Sequence, residues 1–302
     1  MQTFYSHGKL LISAEYAVLD GALALALPTK FGQCLSVESN SENTILWKSI
    51  SNEGDVWFEA EFTIDATLKI STSNPSDIAV RLVQVLEALQ QLNPTLFEAD
   101  TGYVLTSNLE FPENWGLGSS STLINNLAQW AQVDAFKLLE LTFGGSGFDI
   151  ACAQQDSGIL YQLKVGKPTV KIAEFSPPFI ESLFFVHRNQ KQNSRDGIAS
   201  YKTLTADQSL DFSELNSITL ELLNCTDLKT FESLIEQHER YISTLIQQPP
   251  LKEALFSDYE GAIKSLGAWG GDFFLATGNA ESMAYFKSKG FSTVVPYSEM
   301  IL

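Results

Sequence analysis

The sequence predicts an α+β protein with two lobes, built from mixed or antiparallel sheets and packed helices. Its 302 residues can bury a large core and favour two domains or one two-lobed unit. Segments that alternate apolar and polar residues, typical of half-buried strands, occur together with segments that carry apolar residues at helical spacing. A return to strand-like segments after residue 155 predicts domains at 1–155 and 156–302.

The first hundred or so residues divide into strands and one helix. Residues 4–12 and 22–27 are apolar enough for buried strands. Residues 43–50 and 55–66 alternate apolar and polar side chains, which predicts an antiparallel hairpin. Residues 75–92 carry apolar side chains at helical spacing and end before Asn-Pro, which predicts an amphipathic helix.

A glycine- and serine-rich loop, FPENWGLGSSST at 111–122, lies between a predicted strand (103–109) and a predicted helix (122–132). Gly116 and Gly118 allow backbone torsions that other residues resist. Three serines then open the helix, where unpaired N–H groups and the helix dipole favour phosphate. The loop is interpreted as a phosphate cradle, with a glycine turn and a serine N-cap as the alternative that needs no ligand.

Near the start of the chain, HGKLLISAEYAVLDG (7–21) sets Lys9 and Glu15 among apolar and small residues. A lysine beside a buried strand is costly unless it is paired or meets a ligand. The alternative is a lysine at the strand end that reaches solvent. Lys9 is therefore a candidate for contact with an anionic ligand.

A second short helix (134–141) leads into FGGSGFDIACA (143–153), where three glycines and a serine precede Asp149. An acidic residue in the first turn of a helix is favoured by the helix dipole, which explains Asp149 without any function. The functional interpretation is a carboxylate that acts as acid or base on a substrate hydroxyl.

The second half of the sequence begins with predicted strands at 159–165, 169–175 and 183–186. The segment HRNQKQNSRDGIASYK (187–202) contains Lys191 and Arg195 and is a candidate for binding an anionic substrate, or else a solvated loop with a helix cap. Three amphipathic helices are predicted at 212–224, 228–246 and 251–265. A third glycine-rich turn, LGAWGGDFFLATG (266–278), feeds a strand at 273–276, and a helix (280–289) and a strand (291–295) complete the prediction.

Composition excludes several functions. A net charge of −17 argues against a nucleic-acid partner but permits an anionic small molecule held by a few local cations. No apolar run reaches the roughly 18 residues of a membrane span, and no secretion signal is found, so a cytoplasmic location is expected. Cys34, Cys152 and Cys225 are too few and too scattered for a disulfide framework or a zinc site, and we expect reduced core thiols.

Taken together, three segments resemble the motifs of the GHMP kinase superfamily. HGKLLISAEYAVLDG is similar to the first motif, FPENWGLGSSST to the phosphate loop, and LGAWGGDFF to the third, and they occur in the family's order over nearly the whole chain. The segments GKLLISAEYAVLDG and GSGFDIA are most similar to the phosphomevalonate and mevalonate kinase branch. Lys264, shortly before Gly270-Gly271-Asp272, adds to that likeness.

This resemblance implies a two-lobed GHMP-kinase-like fold and an ATP-dependent kinase that uses Mg²⁺ and acts on a small carboxylate, mevalonate or phosphomevalonate. Asp149 would take the proton of the acceptor hydroxyl, and Lys9 would neutralise charge near the transferred phosphoryl group. The expected partners are ATP and the small substrate, with a homodimer possible. ATP would bind at Pro112, Gly116, Leu117, Gly118, Ser119, Ser120 and Ser121, the metal at Ser120 and Glu140, and the substrate at His7, Glu15, Tyr16, Ser146, Gly147, Lys191, Arg195, Gly270, Gly271 and Asp272.

Three positions depart from the family's pattern. His7 replaces a proline, Ala14 a glycine, and Trp269 a glycine in the third motif, where an indole could narrow the site. Ala14, Trp269 and the uncertain magnesium ligand Glu140 leave open a relative that binds nucleotide or metabolite without catalysis. A decarboxylase of the same fold that acts on diphosphomevalonate would share the glycine-rich loop and is the other alternative.

Overall fold

The computed structural model describes residues 1–65, 67–97, 101–190, 194–267, 269 and 271–302. The chain forms two compact units. The first contains Met1–Gly8, Phe31–Glu113 and Gly118–Gln154, and the second contains Lys9–Lys30, Asn114–Leu117 and Gln155–Leu302. The chain passes from the first unit to the second after Gln154, close to the predicted boundary, but neither unit is one continuous segment of the sequence. Two continuous domains, 1–155 and 156–302, stay a prediction.

The helices and strands are named here in chain order. Up to residue 155 they are β1 (Gln2–Leu11), β2 (Ala24–Asn40), β3 (Thr44–Ile50), β4 (Val56–Ile64), β5 (Ile70–Ser71), α1 (Asp77–Leu92), β6 (Gly102–Leu109), α2 (Ser119–Ala131), α3 (Ala135–Thr142) and α4 (Phe148–Ala153). Beyond it they are β7 (Ile159–Lys164), β8 (Lys167–Ile172), β9 (Leu183–His187), α5 (Ser194–Thr205), α6 (Ser213–Asn224), α7 (Leu228–Ile246), α8 (Leu251–Leu255), β10 (Ile263–Ser265), β11 (Phe273–Thr277), α9 (Ala280–Ser288), β12 (Val294–Pro296) and α10 (Tyr297–Met300).

In the first unit, a mixed sheet runs in the order β5-β4-β3-β6-β2. Strands β3 and β6 are parallel, and the other neighbours are antiparallel. The alternation along β3 buries Ile45 and Trp47 on one face, as its sequence predicts. These side chains pack in one core with Leu86 of α1, Ile124 of α2 and Leu138 of α3. The core thus fixes the helix that follows the glycine-rich loop.

In the second unit, residues 24–26 of β2 pair with β7, and β7 pairs with β8. A separate antiparallel sheet runs β10-β11-β9-β12. Helix α9 packs on this sheet through Phe286, which is fully buried against Phe184, Phe256 and Phe274. Helix α7 begins at a capping Asp227, whose carboxylate accepts from the N–H of Thr230.

The α+β class, the hairpin, and the helices predicted at 75–92, 212–224 and 228–246 are confirmed. The helix predicted at 251–265 is wrong beyond Leu255. Ile263–Ser265 instead forms β10, paired with β11, and Gly261 lies so close to the carbonyl of Thr277 that a Cβ would come within 2.2 Å. Because this stretch is apolar at both helical and strand spacing, local pattern did not separate the two.

The three cysteines are free thiols, as expected, although only Cys152 is fully buried. No helix in the part of the chain that the structure describes combines the length and apolar character of a membrane span.

Candidate functional site

The glycine-rich loop leads directly into α2. A short 3₁₀ turn, Glu113–Trp115, precedes Gly116, and Gly118 is the N-cap of α2 in the left-handed conformation, with φ of 91°. The helix begins at Ser119, three residues earlier than the predicted 122. Ser119 to Ser121 therefore form its first turn, where the N–H groups have no acceptor within the helix and the dipole is positive. This geometry suits an anion.

The carboxylate of Asp272 lies against Gly116. A Cβ placed on Gly116 would be 1.9 Å from Asp272 Oδ2, and the glycine has a positive φ of 65°. Both the torsion and the space therefore favour glycine over any larger residue. Asp272, predicted on the substrate side, is thus in contact with the first half of the loop.

Lys9 contacts the same half of the loop twice. Its backbone N–H donates to the carbonyl of Leu117 over 2.9 Å, and its Nζ donates to the carbonyl of Gly116 over 3.3 Å. The side chain is half-buried. The ammonium of Lys9 is therefore in contact with the backbone of the loop.

Aromatic side chains that the sequence analysis missed support the loop from β9 and β11. His187 Nε2 lies 3.0 Å from the carbonyl oxygen of Asn114. The ring of Trp115 packs edge-on against Phe273, with 5.3 Å between centroids. A histidine in an otherwise apolar strand was the available signal, but its partner lies far away in sequence.

Asp149 lies in the first turn of α4 and is half-buried. Ser146 and Gly147, which precede the helix, are buried. At the other end of α4, Gln154 donates from Nε2 to Asn125 Oδ1 of α2 over 3.0 Å. The helix that carries Asp149 is therefore attached to the helix that follows the loop.

A buried polar network also anchors α2 to β1 and β2. Ser6 Oγ donates to Asn126 Oδ1 over 2.7 Å and accepts from Asn125 Nδ2 over 2.8 Å. Asn126 Nδ2 and Thr122 Oγ1 both donate to Gln33, to its backbone oxygen over 2.8 Å and its side-chain oxygen over 2.6 Å. Buried polar groups satisfied in this way fix one arrangement of a core.

Glu15 and Lys264 form a buried ion pair. Their Oε1 and Nζ atoms are 2.5 Å apart, and both residues are 0% exposed. Burial raises the pKa of Glu15 to about 7, although the nearby ammonium of Lys264 opposes the shift. Burial likewise raises the pKa of Glu239 and lowers that of His238 well below its ordinary value, the charge of Lys264 contributing to the latter.

Tyr16 is buried and stacks on Tyr201 of α5, with 5.8 Å between ring centroids. Burial, followed by the charge of Glu15, raises its pKa to about 12. His7 is half-buried and packs edge-on against Tyr5. Trp269 retains a glycine-like φ of 57°, and its indole is 6% exposed and donates to the carbonyl of Pro249.

The remaining predicted positions are spread over both units. Gly271 is buried, Pro112 half-buried, and Ser120 and Glu140 exposed. Lys191 and Gly270 lie outside the described residues, as does the side chain of Arg195.

Among the described residues, no group of three or more His, Cys, Asp or Glu side chains is placed to hold a metal. Magnesium commonly binds through one or two carboxylates together with substrate phosphates and water. A magnesium ion that arrives with a nucleotide would therefore need few ligands from the protein.

No protein-family model and no curated protein matches the sequence. The fold, however, is that of the GHMP kinases, as the motifs imply. The L. major mevalonate kinase in complex with R-mevalonate is 15% identical, with 97% of this chain and 94% of that chain covered and a TM-score of 0.68. Streptococcus pneumoniae phosphomevalonate kinase in complex with phosphomevalonate and AMPPNP is 18% identical, with 96% of each chain covered and a TM-score of 0.67.

Lactococcus lactis galactokinase complexed with galactose shares the fold as well. It is 13% identical, with 95% of this chain and 88% of that chain covered and a TM-score of 0.67. At these identities the likeness shows the fold, and proteins of that fold act on unlike substrates.

Proposed function

We propose that the chain is an ATP-dependent phosphotransferase that transfers the γ-phosphoryl group to a small carboxylate metabolite, mevalonate or phosphomevalonate. One observation carries this proposal. A glycine-rich loop immediately precedes the first turn of α2, and Lys9 contacts that loop through both its backbone and its ammonium. A set of N–H groups with an adjacent cation is what a transferring phosphoryl group requires.

The phosphates of ATP would lie on the backbone from Gly116 to Ser121. The acceptor oxygen would form a bond to the γ-phosphorus as the bond to the leaving ADP oxygen breaks. Asp149 would take the proton from an acceptor hydroxyl, and Lys9 would stabilise the negative charge of the transferred group. A phosphate acceptor, such as phosphomevalonate, would attack through a phosphate oxygen and need no such proton transfer.

Magnesium bound with ATP would neutralise phosphate charge, and Ser120 and Glu140 are the proposed protein ligands. The acceptor would contact His7, Tyr16, Ser146, Gly147, Gly271 and Asp272, with Lys191, Arg195 and Gly270 kept as proposed contacts. Glu15 stays in this proposal, although its burial with Lys264 supports an indirect role. A cytoplasmic location and a homodimer are proposed on sequence grounds alone.

The direct test is a panel of acceptors with Mg-ATP, scored by ADP release: mevalonate, phosphomevalonate, homoserine, galactose and related sugars. Turnover of a carboxylate acceptor is the expected result. Nucleotide binding with no turnover would support the non-catalytic alternative, and release of carbon dioxide from diphosphomevalonate would support the decarboxylase.

Two variants test the assigned roles. Asp149→Asn should abolish turnover of a hydroxyl acceptor without unfolding, whereas Asp77→Asn, an aspartate in the first turn of α1, should retain it. This control separates acid–base chemistry from a helix-dipole effect. Lys9→Ala should slow the reaction by about a hundredfold. Full activity in either variant would reject that residue's role.

A further inference from the structure

We propose that His238 and Glu239, in the middle of α7, are positioning residues for phosphoryl transfer. They bind directly to two segments of the second unit, the one that follows Lys9 and the one that leads to Asp272, and Glu239 also contacts Lys264. This inference rests on the proposed function, and His238 and Glu239 lie outside the three motifs.

Lys264 is the centre of the cluster. Its Nζ lies 2.5 Å from Glu15 Oε1 and 3.2 Å from Glu239 Oε1, and it also donates to the carbonyl of Ser265. Glu15, Lys264 and Glu239 are at most 3% exposed. One ammonium thus joins residues from three distant parts of the chain.

Helix α7 accepts hydrogen bonds from both segments, through His238 to Ala14 and through Glu239 to Ser265. Glu239 accepts from Ser265 twice, from the backbone N–H over 3.0 Å and from Oγ over 2.8 Å. His238 Nε2 accepts from the backbone N–H of Ala14 over 2.9 Å. Ala14 has a φ of 65°, a conformation that a non-glycine residue keeps only when its surroundings impose it. The hydrogen bond to His238 is one restraint on this conformation.

The charges argue against a role in stability alone. His238 is neutral, because Nε2 acts as an acceptor and burial lowers its pKa. The carboxyl groups of Glu15 and Glu239 then share one ammonium in a buried site. Apolar residues of similar volume often stabilise a core as well as such a buried ion network. What the network supplies is a unique arrangement of directional contacts.

Both segments lead to the same glycine. The segment held by His238 follows β1, where the Nζ of Lys9 donates to the carbonyl of Gly116. The segment held by Glu239 leads to Asp272, whose carboxylate lies against Gly116. A shift of either segment would therefore move a charged group at the loop, and small misplacements are costly in catalysis.

The key variant is His238→Leu, with His238→Gln as its conservative partner, since a glutamine oxygen can still accept from Ala14. We expect kcat to fall by about tenfold to a hundredfold in the leucine variant, with the KM for ATP changed by less than about threefold. The glutamine variant should recover most of the loss. Gln237→Leu, exposed on the neighbouring face of α7, is the control and should match the unaltered protein.

Hydrogen exchange gives a readout that does not depend on catalysis. In His238→Leu, the amides of 9–17 and those of the described residues in the second segment (263–267, 269 and 271–273) should exchange faster than in Gln237→Leu. Unchanged exchange in either segment, or an unchanged kcat in a protein that is active, would overturn the proposal. If His238→Leu does not fold, Ser265→Ala takes its place, because it removes one donor to Glu239. It should lower kcat and speed hydrogen exchange in both segments, each by less than is expected for His238→Leu.

The two proposals fail separately. If the protein phosphorylates no acceptor, the proposed function is lost, and the exchange result alone decides whether His238 and Glu239 hold these segments. If the protein is active and His238→Leu matches Gln237→Leu in both kcat and exchange, the positioning role is wrong and the kinase stands.

Discussion

Gln154, at the end of α4, donates to the buried Oδ1 of Asn125 on α2, with 3.0 Å between the two atoms. Because α4 carries Asp149 and α2 begins at the glycine-rich loop, this bond couples two elements of the proposed chemistry. Gln154→Leu should lower kcat by about tenfold through misplacement of Asp149. It should also cost about 1 kcal/mol of stability, since Asn125 loses a donor.

Steady-state kinetics and thermal unfolding measure the two effects. Gln129→Leu is the matched control, because Gln129 is exposed on α2 and lines the same cavity of about 480 Å³. Equal kinetics in both variants would show that the contact between Gln154 and Asn125 has no part in catalysis.

Gly116→Ala tests the close approach of Asp272. The added Cβ would lie 1.9 Å from Oδ2, so the carboxylate or the loop must move. Gly144→Ala is an unusually close control, since Gly144 has a similar φ of 68° with nothing within 4 Å. Both variants place alanine at a similar positive φ, and only Gly116→Ala should weaken ATP binding, by about tenfold or more. Calorimetric titration with Mg-ATP measures this, and equal Kd values would reject the steric argument.

The sequence predicted the elements whose pattern is local. The strands of the hairpin and the helices at 75–92 and 228–246 follow from side-chain spacing, and the glycine-rich segments marked the loop and the Asp149 turn. Contacts between distant segments could not be predicted from side-chain spacing. Lys264 fell in a predicted helix, whereas it lies in β10 and pairs with Glu15.

Some signal for the missed residues was present in the sequence. His238 and Glu239 lie on the face of α7 that buries Phe231, Ile235 and Ile242. Polar residues inside an apolar stripe must find buried partners, so their presence predicts a network. Periodicity shows that such side chains are buried but not what they meet, because the partners come from other segments of the chain.

The raised pKa of Glu15 predicts a dependence of stability on pH. Burial moves this pKa from its ordinary value of 4.5 to about 7, so the folded state binds a proton that the unfolded state has released. The contribution of Glu15 to the free energy of unfolding is therefore fully present below pH 4.5 and is lost as the pH rises through 7. The lowered pKa of His238 has the opposite effect on stability. Its contribution to the free energy of unfolding is present above pH 6.5 and is lost at lower pH.

Comparison with Glu15→Gln isolates the carboxyl group, because His238 is common to both proteins. The variant should gain stability relative to the unaltered protein as the pH rises from about 5 to about 8, by up to roughly 3 kcal/mol. Denaturant unfolding across this range measures the gain. Glu236→Gln, on the exposed side of α7, should show no such trend. A difference that does not vary with pH would mean that Glu15 is ionised in the folded protein.

Gly197→Ala in α5 should destabilise the protein, against the usual preference for alanine in helices. Alanine ordinarily stabilises a helix interior by about 1 kcal/mol relative to glycine. Here the new Cβ would lie 2.3 Å from the hydroxyl oxygen of Tyr16, a ring that is buried and stacked on Tyr201. Overpacking of this kind costs about 1–3 kcal/mol, so the clash should exceed the helix preference.

The second variant is Gly197→Ala combined with Tyr16→Phe, which removes the clashing hydroxyl and should recover part of the lost stability. Ser200→Ala, exposed on the same helix, is the control and should be neutral or slightly stabilising. Since Tyr16 is a proposed acceptor contact, Gly197→Ala should also raise the KM for the acceptor while the KM for ATP stays constant. Thermal unfolding and steady-state kinetics together test this, and a stabilised Gly197→Ala would show that Tyr16 does not pack against α5 in solution.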